Sequence, residues 1–299
     1  MIAEEMIEIN KIGNSRLPQI DFKNLAFGKV FSDHMFVMDY ADGQWGTPTI
    51  SPFKNLSINP ATSVMHYGQS IFEGMKAFKS TTDEVLLFRP DQNIKRFNIS
   101  AERMCMPVVP EDVFEQGLLK LLDLDRDWVQ SDTESSLYIR PFMIATDEYI
   151  GVKPSSTYRF IIFTCPVKKY YSGSVKVKIE EHYSRSMVGG TGYAKAAGNY
   201  AASLYPAKLA QLEGYDQLLW TDSLEHKYIE ESGTMNVVFR SGNKIISPKA
   251  SDTILRGITR DSVLTLAKQY KYEVEERRIE VAEIIELLEK RKLNEAFGA

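Results

Sequence analysis

The alternation of strand-like and helix-like segments is the feature that most limits how this chain can fold. Residues 136–145 and 158–167 are rich in β-branched and aromatic side chains, which predicts two long strands. Apolar residues at helical spacing predict helices over 91–104 and 111–122. The second half mixes both types, with strands at 217–221, 235–240, 244–247 and 273–279 and helices at 201–212, 260–269 and 281–290. Neither half has a regular strand–helix–strand order, so the pattern favours an α+β fold with mainly antiparallel strands.

A polar break divides the chain into two predicted domains. At 299 residues the chain is long enough for two domains of ordinary size. Residues 168–174, Lys-Lys-Tyr-Tyr-Ser-Gly-Ser, interrupt the pattern between two strands. We therefore predict an interdomain linker at 168–174, an N-terminal α/β domain over 1–167 and a C-terminal domain over 175–299.

Composition and charge argue against several functional classes. The formal net charge of −4 at pH 7 lacks the basic character that nucleic-acid binding requires. No apolar run approaches the roughly 20 residues of a membrane-spanning helix, and the acidic start of the chain does not resemble a signal peptide. We therefore expect a cytoplasmic protein that binds neither nucleic acid nor membrane. Cys105 and Cys165 have no metal or redox spacing and are expected in the core, and the four scattered histidines predict no metal site.

One lysine stands among unusually small neighbours. Lys195 lies in residues 189–200, Gly-Gly-Thr-Gly-Tyr-Ala-Lys-Ala-Ala-Gly-Asn-Tyr. Glycine and alanine neighbours let a flat ligand approach the amine, and desolvation favours its neutral, nucleophilic form. The spacing alone is more typical of a flexible glycine loop with a surface lysine. The function of Lys195 therefore has to be judged together with other segments.

Three further segments carry groups that suit a ligand site. Glu231 precedes Ser-Gly-Thr at the start of an apolar strand, where an acidic turn is the simpler interpretation. In residues 255–260, Leu-Arg-Gly-Ile-Thr-Arg, a glycine and Thr259 stand directly before a helix. Backbone amides and a hydroxyl at a helix start form an anion site suited to phosphate, although such a threonine is more often only a helix cap. The aromatic residues of 66–78 are, taken singly, compatible with ordinary core.

Together and in this order, the segments resemble the branched-chain amino acid aminotransferases, fold type IV pyridoxal phosphate enzymes of the class IV aminotransferase family. The resemblance runs almost continuously from Phe27 to Gly298, and it is densest at residues 72–78, 137–141, 195–204, 216–220 and 231–236. It implies a two-domain α+β fold like that of D-amino acid aminotransferase, with the cofactor cleft between the domains. The smaller domain would be 1–167 and the larger, cofactor-binding domain 175–299, without the family's last strands.

The resemblance also implies the cofactor contacts. Lys195 would condense with pyridoxal phosphate and then move the proton between substrate and cofactor. Tyr200 would hydrogen-bond the phenolic oxygen of the cofactor, and Glu231 would keep the pyridine nitrogen protonated. The other implied cofactor-binding residues are Arg96, Ile258 and Thr259, at the phosphate, and Thr234. Without the resemblance, the arginine would be interpreted as a solvated helix residue.

A second implied group would bind the substrates. An apolar pocket for leucine, isoleucine or valine would be walled by Phe27, Tyr67, Phe72 and Tyr138. Arg140, with Tyr138, would receive the extra carboxylate of glutamate or 2-oxoglutarate, and Thr234 would also contact substrate. One site would serve both partners in ping-pong half-reactions. Tyr170 and Tyr171 in the linker would form a lid.

The expected protein is a branched-chain-amino-acid transaminase of amino-acid biosynthesis, acting as a homodimer. A D-amino acid aminotransferase or an aminodeoxychorismate lyase on the same fold is the enzymatic alternative, although such relatives usually lack the segment at 72–78. A non-catalytic relative is a second alternative, because in the family the residues matching 294–298 continue into a Gly-Thr-Ala turn and further strands. We therefore expect the 299-residue form to bind cofactor weakly or to fold poorly.

Overall fold

The chain forms two compact units. The structure, a computed structural model, describes residues 7–132, 134–168 and 173–299. The first unit is Met1–Ser172 and the second is Gly173–Ala299. The boundaries and the relative sizes of the two predicted domains stay predictions. A linker at 168–174 and a lid at Tyr170 and Tyr171 stay predictions, since residues 169–172 lie outside the described part.

The first unit contains nine described strands and three described α-helices. The strands are β1 (Glu8–Ile9), β2 (His34–Ala41), β3 (Gln44–Trp45), β4 (Thr49–Pro52), β5 (Ser70–Phe72), β6 (Met75–Lys79), β7 (Val85–Leu87), β8 (Ser136–Ala145) and β9 (Tyr158–Val167). The helices are α1 (Ser63–Tyr67), α2 (Pro90–Arg103) and α3 (Glu111–Leu124), with 3₁₀ turns at Leu17–Gln19, Phe22–Asn24 and Arg126–Trp128.

These strands form one sheet around a long antiparallel pair. β8 and β9 pair along their full length, from Ser136 opposite Val167 to Ala145 opposite Tyr158. The sheet order is β1-β4-β2-β9-β8-β6-β7, with β3 added to β2 and β5 added to β8. Along β8 the buried residues alternate with half-buried ones, so one face of the strand lies in the core and the other carries Tyr138 and Arg140.

The core of this unit lies between the sheet and the helices α2 and α3. Phe160 on β9 meets the rings of Phe36, Phe97 and Phe114 at centroid distances of 5.8, 5.2 and 4.7 Å. Gly117 lets α3 approach the sheet closely, because a Cβ there would lie 2.5 Å from the ring of Phe36. The aromatic cluster therefore fixes the helices against the sheet.

Truncating the central ring of this cluster should be costly. We expect Phe160→Ala to lower the free energy of unfolding of the first unit by about 4 kcal/mol, because a fully buried ring is removed and a cavity is left. Urea unfolding followed by circular dichroism measures the change. Phe88→Ala, at a side chain that is 55% exposed, is the matched control and should change stability by less than about 0.5 kcal/mol. Equal effects of the two substitutions would contradict this packing.

The second unit is built on another sheet. Its described strands are β10 (Val177–Ile179), β11 (Gln217–Thr221), β12 (Ile229–Ser232), β13 (Met235–Ser241), β14 (Lys244–Pro248), β15 (Glu273–Arg277) and β16 (Glu295–Gly298). Its helices are α4 (Ala197–Leu212), α5 (Ile258–Gln269) and α6 (Val281–Glu289). The sheet order is β10-β11-β12-β13-β14-β15, with β16 paired to β13.

Side chains of the central strand β13 alternate between the two faces of the sheet, and a different helix packs on each face. On β13, Val237 and Phe239 pack in one apolar cluster with Ile284 of α6. Val238, the residue between them, packs in a second cluster with Leu264 of α5. Successive side chains of a strand point to opposite faces, so α6 and α5 cover opposite faces of the sheet. The strand β12 lies in the middle of this sheet, and all four of its residues are buried.

The predicted α+β class is confirmed, and the boundaries differ at two informative places. Helix α4 begins at Ala197 rather than at residue 201, because buried Asn199 anchors its first turn through side-chain bonds to the carbonyls of Thr191 and Ala194. Cys105, expected in the core, is exposed in a left-handed turn with φ +54° just after α2, whereas Cys165 is buried as expected. None of the helices in the described parts of the chain has the length and apolar character needed to cross a membrane.

Candidate active site

The loop before α4 brings Lys195 to Tyr200. Lys195 precedes the helix by two residues, and Tyr200 lies in the first helical turn. The amine Nζ donates a hydrogen bond of 2.8 Å to the Tyr200 hydroxyl and lies 5.2 Å from the centre of that ring. Asn199, between them, donates to the carbonyl of Ala194 at 2.9 Å and fixes the loop. The sequence neighbours of Lys195 therefore hold its amine against a single phenol.

Glu231 on β12 is the buried carboxylate of the same region. It is 3% exposed, and its Oε1 accepts a hydrogen bond of 2.7 Å from the backbone amide of Leu255. Burial raises the pKa of Glu231 to about 7, while the charges of Arg185 and Lys195 and the Leu255 amide oppose the rise. The positive charge of Lys195 is thus one of the influences that favour the ionised form of Glu231.

Arg185 is a member of this site that the sequence did not single out. Its Nη2 donates to the carbonyls of Gly192 at 2.9 Å and Thr253 at 2.8 Å, and the side chain is 8% exposed. Its Nε lies 3.1 Å from Oε2 of Glu231, which is an ion-pair distance. The N–H is not directed at that oxygen, so the contact is an ion pair without a hydrogen bond. Arg185 therefore supplies the positive charge that faces the buried carboxylate.

Helix α5 begins beside this carboxylate. Gly257 is its N-cap and has no side chain to bond the first amides, and the helix continues through Ile258 and Thr259. The backbone of Gly257 packs closely against Asn236, since a Cβ on Gly257 would lie 1.8 Å from Oδ1 of Asn236. The N-terminus of a twelve-residue helix attracts anions through its amides and its dipole. A phosphate group fits the chemistry of this helix start.

A cleft joins these groups within the second unit. The space enclosed by its walls is small, about 10 Å³, and the rest of the cleft is open to solvent. The residues that line it are Arg185, Asn199, Tyr200, Ser203, Glu231, Gly233, Thr234 and Leu255. Among the predicted site residues, Tyr200, Glu231 and Thr234 thus meet directly in the cleft. Lys195 reaches it through its bond to Tyr200.

All the predicted substrate residues except Thr234 belong to the first unit, and four of them, Phe27, Phe72, Tyr138 and Arg140, meet on one face of its sheet. The Arg140 guanidinium lies 4.5 Å from the ring centre of Phe72, and its Nη2 donates to the Tyr138 hydroxyl at 2.9 Å. Phe27 contacts Tyr138 edge to face at 5.6 Å. Tyr67 is 40% exposed at the end of α1. Nε of Arg140 is buried and has no hydrogen-bond partner among the described residues.

Arg96, the predicted phosphate arginine, is held by a carboxylate of the first unit. Its Nε and Nη2 donate to the two oxygens of Glu73 at 2.7 and 2.9 Å. Glu73 is fully buried, and Asn93, one turn before Arg96 on α2, donates to it at 2.8 Å. Arg96 is therefore an ordered, partly buried arginine, in contrast to the solvated helix residue that its sequence position alone would indicate.

Comparison with known proteins defines the class to which this fold and site belong. The family model "Amino-transferase class IV" matches residues 70–294, which is well over half of the chain. A branched-chain-amino-acid aminotransferase of Bacillus subtilis is 46% identical over 292 residues, covering 96% of this chain and 80% of its own. A probable branched-chain-amino-acid aminotransferase of Staphylococcus aureus is 47% identical over 284 residues, covering 93% and 79%.

Solved structures agree on the fold. The branched-chain aminotransferase of Thermoproteus uzoniensis superposes with a TM-score of 0.74 at 21% identity, covering 89% of this chain and 83% of its own. That of Escherichia coli gives 0.70 at 22% identity, covering 89% and 81%. The chain therefore belongs to the class IV aminotransferase family, on the branch of the branched-chain-amino-acid aminotransferases. The enzyme class that the sequence predicted, a transaminase, and its fold type are confirmed.

Proposed function

We propose that this chain reversibly transfers the amino group of L-leucine, L-isoleucine or L-valine to 2-oxoglutarate, by a ping-pong reaction that uses pyridoxal phosphate. The observation that carries the proposal is the cleft that brings together the buried carboxylate of Glu231 and the hydroxyl of Tyr200, to which the amine of Lys195 is bonded at 2.8 Å. The relatives that are 46–47% identical over more than nine tenths of the chain support the choice of substrates.

The residues present fit the cofactor. Glu231 would face the pyridine nitrogen, Tyr200 the phenolic oxygen and the start of α5, at Ile258 and Thr259, the phosphate. Thr234 would contact the cofactor and the substrate, and Arg96 would add a positive charge at the phosphate. When bound, pyridoxal phosphate supplies an electron-withdrawing ring that stabilises negative charge at the substrate Cα.

The chain's own groups would handle the proton. Lys195 would take the proton from the substrate Cα as a general base and deliver it to the C4′ carbon of the cofactor as a general acid, and the reverse reaction would use the same transfer in the opposite direction. Tyr200, bonded to the amine at 2.8 Å, would orient Nζ and stabilise its protonated form. Glu231, in a buried position, would keep a positive charge on the ring nitrogen through a short charge-assisted contact. These three roles need no residue outside the cleft region.

The dual substrate specificity would come from the polar and aromatic group on β8 and β5. Phe72, Tyr138, Phe27 and Tyr67 would wall a pocket for branched aliphatic side chains. Arg140 would receive the second carboxylate of glutamate or 2-oxoglutarate, and the buried donor at its Nε supports this role. A guanidinium over an aromatic ring tolerates an apolar ligand as well as an anionic one, because its stem and the ring present apolar surface.

Removing this guanidinium should affect one substrate selectively. We expect Arg140→Met to raise KM for 2-oxoglutarate about 50-fold and KM for 4-methyl-2-oxopentanoate less than about 3-fold, since only the former loses a charged hydrogen-bond partner. Steady-state kinetics with both oxo acids measure the ratio. Arg159→Met is the matched control on the neighbouring strand, where the arginine pairs with Asp39 at the surface, and it should leave both constants unchanged. A parallel rise for both substrates would contradict the assignment.

A coupled assay tests the proposed function against its alternatives. Purified protein is supplied with pyridoxal phosphate and with L-leucine, D-alanine or aminodeoxychorismate. The proposal expects glutamate to form from 2-oxoglutarate with L-leucine only. Turnover of D-alanine would identify a D-amino acid aminotransferase, and release of pyruvate from aminodeoxychorismate would identify a lyase. No turnover with a bound cofactor would favour the non-catalytic relative. A cytoplasmic location, a homodimeric state and a role in biosynthesis are parts of the same proposal.

A further inference from the structure

Glu230, the neighbour of Glu231, is a buried carboxylate to which the proposed reaction gives no role. Both residues lie on β12, so their side chains leave opposite faces of the strand. Glu230 is 7% exposed, and its Oε1 accepts a hydrogen bond of 2.6 Å from the hydroxyl of Thr253. Its Oε2 is buried without a hydrogen-bond partner among the described residues. A carboxyl group in such a position is costly to bury, so its presence calls for a reason.

The two adjacent glutamates accept hydrogen bonds from one loop. Thr253 bonds Glu230 through its hydroxyl, and Leu255, two residues further along, donates its backbone amide to Oε1 of Glu231 at 2.7 Å. The carbonyl of Leu255 accepts from Asn236 Nδ2 at 2.9 Å. The loop is therefore bonded to the sheet at two positions, Thr253 and Leu255, and its side of the cleft cannot shift without breaking one of these bonds.

The same loop carries the acceptor that orders Arg185. The carbonyl of Thr253 accepts from Arg185 Nη2 at 2.8 Å, and Arg185 Nε lies 3.1 Å from Glu231. A continuous set of contacts thus runs from Glu230 through Thr253 and Arg185 to Glu231. Glu230, Thr253 and Glu231 are buried and the side chain of Arg185 is 8% exposed, so water competes little with these contacts. Interactions between desolvated charges are strong and depend steeply on their distance.

We propose that Glu230 is a positioning residue of the cofactor site, which sets the contact between Arg185 and Glu231 by fixing the Thr253 loop. Its role requires a hydrogen-bond acceptor at Oε1 and does not require a negative charge. Burial raises the pKa of Glu230, which agrees with a neutral acid that still accepts from Thr253. The inference rests on the proposed function, because Glu231 matters to catalysis only if it faces the cofactor ring.

The acceptor can be removed or kept by two substitutions of equal size. Glu230→Met removes it, since a thioether accepts hydrogen bonds only weakly, whereas Glu230→Gln keeps a carbonyl oxygen there. On the partner side, Thr253→Val removes the hydroxyl and Thr253→Ser keeps it. Glu286→Met, at an exposed glutamate of α6, is the control for the substitution itself.

The measurements are the dissociation constant for pyridoxal phosphate and the visible absorption band of the bound cofactor. We expect Glu230→Met and Thr253→Val each to weaken binding about tenfold and to shift the band. Glu230→Gln, Thr253→Ser and Glu286→Met should stay within about twofold of the unsubstituted protein and keep its band. The double variant Glu230→Met/Thr253→Val should be no weaker than either single variant, because both remove the same bond.

Several outcomes would contradict the positioning role of Glu230. An unshifted band in Glu230→Met, or equal losses in Glu230→Met and Glu230→Gln, would overturn the inference. Multiplied losses in the double variant would overturn it too. A lower melting temperature of Glu230→Met with an unchanged band and affinity would show a merely structural role. If the unsubstituted protein itself bound no pyridoxal phosphate, the proposed function would fail, and that outcome is distinct from a failure confined to the variants.

Discussion

Lys195→Ala should lower the transamination rate about 10⁴-fold, because one substitution removes the covalent attachment of the cofactor and the general base. The remaining cleft should still bind pyridoxal phosphate, since its ring and phosphate contacts come from other residues. The measurement is kcat with L-leucine and 2-oxoglutarate, together with the cofactor content of the purified variant. A smaller loss would contradict the role of this amine.

The control for this prediction is another lysine on the same stretch of chain. Lys208 is exposed on α4, thirteen residues after Lys195, and contributes no group to the cleft. Lys208→Ala should keep the rate within about twofold, which excludes a general effect of removing a positive charge from this helix. Added methylamine should restore part of the activity of Lys195→Ala, because the lost group is an amine in an accessible cleft.

Glu231→Gln should lower kcat by about 10² to 10³-fold, the range found when one electrostatic group of a preorganised site is removed. Glutamine has the same shape but cannot hold a positive charge at the ring nitrogen. The rate of proton removal from the substrate Cα, followed as exchange of that proton with heavy water, should fall in parallel. An exchange rate equal to that of the unsubstituted protein would contradict the role of Glu231.

The same variant should change the pH dependence of stability. Burial raises the pKa of Glu231 from 4.5 to about 7 in the folded state, so the folded protein binds this proton more tightly than the unfolded chain does. The group therefore stabilises the fold fully below pH 4.5, and this contribution is lost as the pH rises through about 7, a difference of roughly 3 kcal/mol. In cofactor-free Glu231→Gln, the free energy of unfolding, measured with urea, should decrease less steeply between these two pH values than it does in the unsubstituted protein. An equal decrease in both proteins would mean that another group binds the proton.

The strands β8, β9 and β11 were predictable from the sequence, whereas the three-residue strand β5 was not. β8, β9 and β11 have the predicted boundaries because their β-branched and aromatic residues pack on the core and extend over five to ten residues. β5 has three residues, too few for a period to show by itself. Its antiparallel pairing with the longer β8 decides this segment.

The start of α4 shows a tertiary effect that propensity cannot report. Gly198 and Asn199 are poor helix formers, and the predicted helix began only after them, at residue 201. In the structure the buried side chain of Asn199 bonds two carbonyls of the preceding loop, and the helix begins at Ala197. Asn199, a residue that disfavours a helix by its propensity, is thus the one that holds Lys195 and Tyr200 close together.

Recognition of the candidate site from the sequence reached the groups with a distinctive local context and missed the others. Lys195 and Glu231 stand in segments of unusual composition. Arg185 stands in an ordinary polar stretch, and its partners Gly192, Thr253 and Glu231 are seven, sixty-eight and forty-six residues away along the chain. Only the fold brings such partners together, so a pattern of local residues cannot reveal this arginine.

The central claim is that the amine of Lys195 bonds covalently to pyridoxal phosphate. Borohydride reduction of the protein incubated with the cofactor, followed by peptide mass spectrometry, tests it directly. The account predicts one stable adduct, on the peptide that contains Lys195, and its disappearance when L-leucine is added before reduction. An adduct spread over surface lysines, or one that L-leucine leaves unchanged, would contradict it.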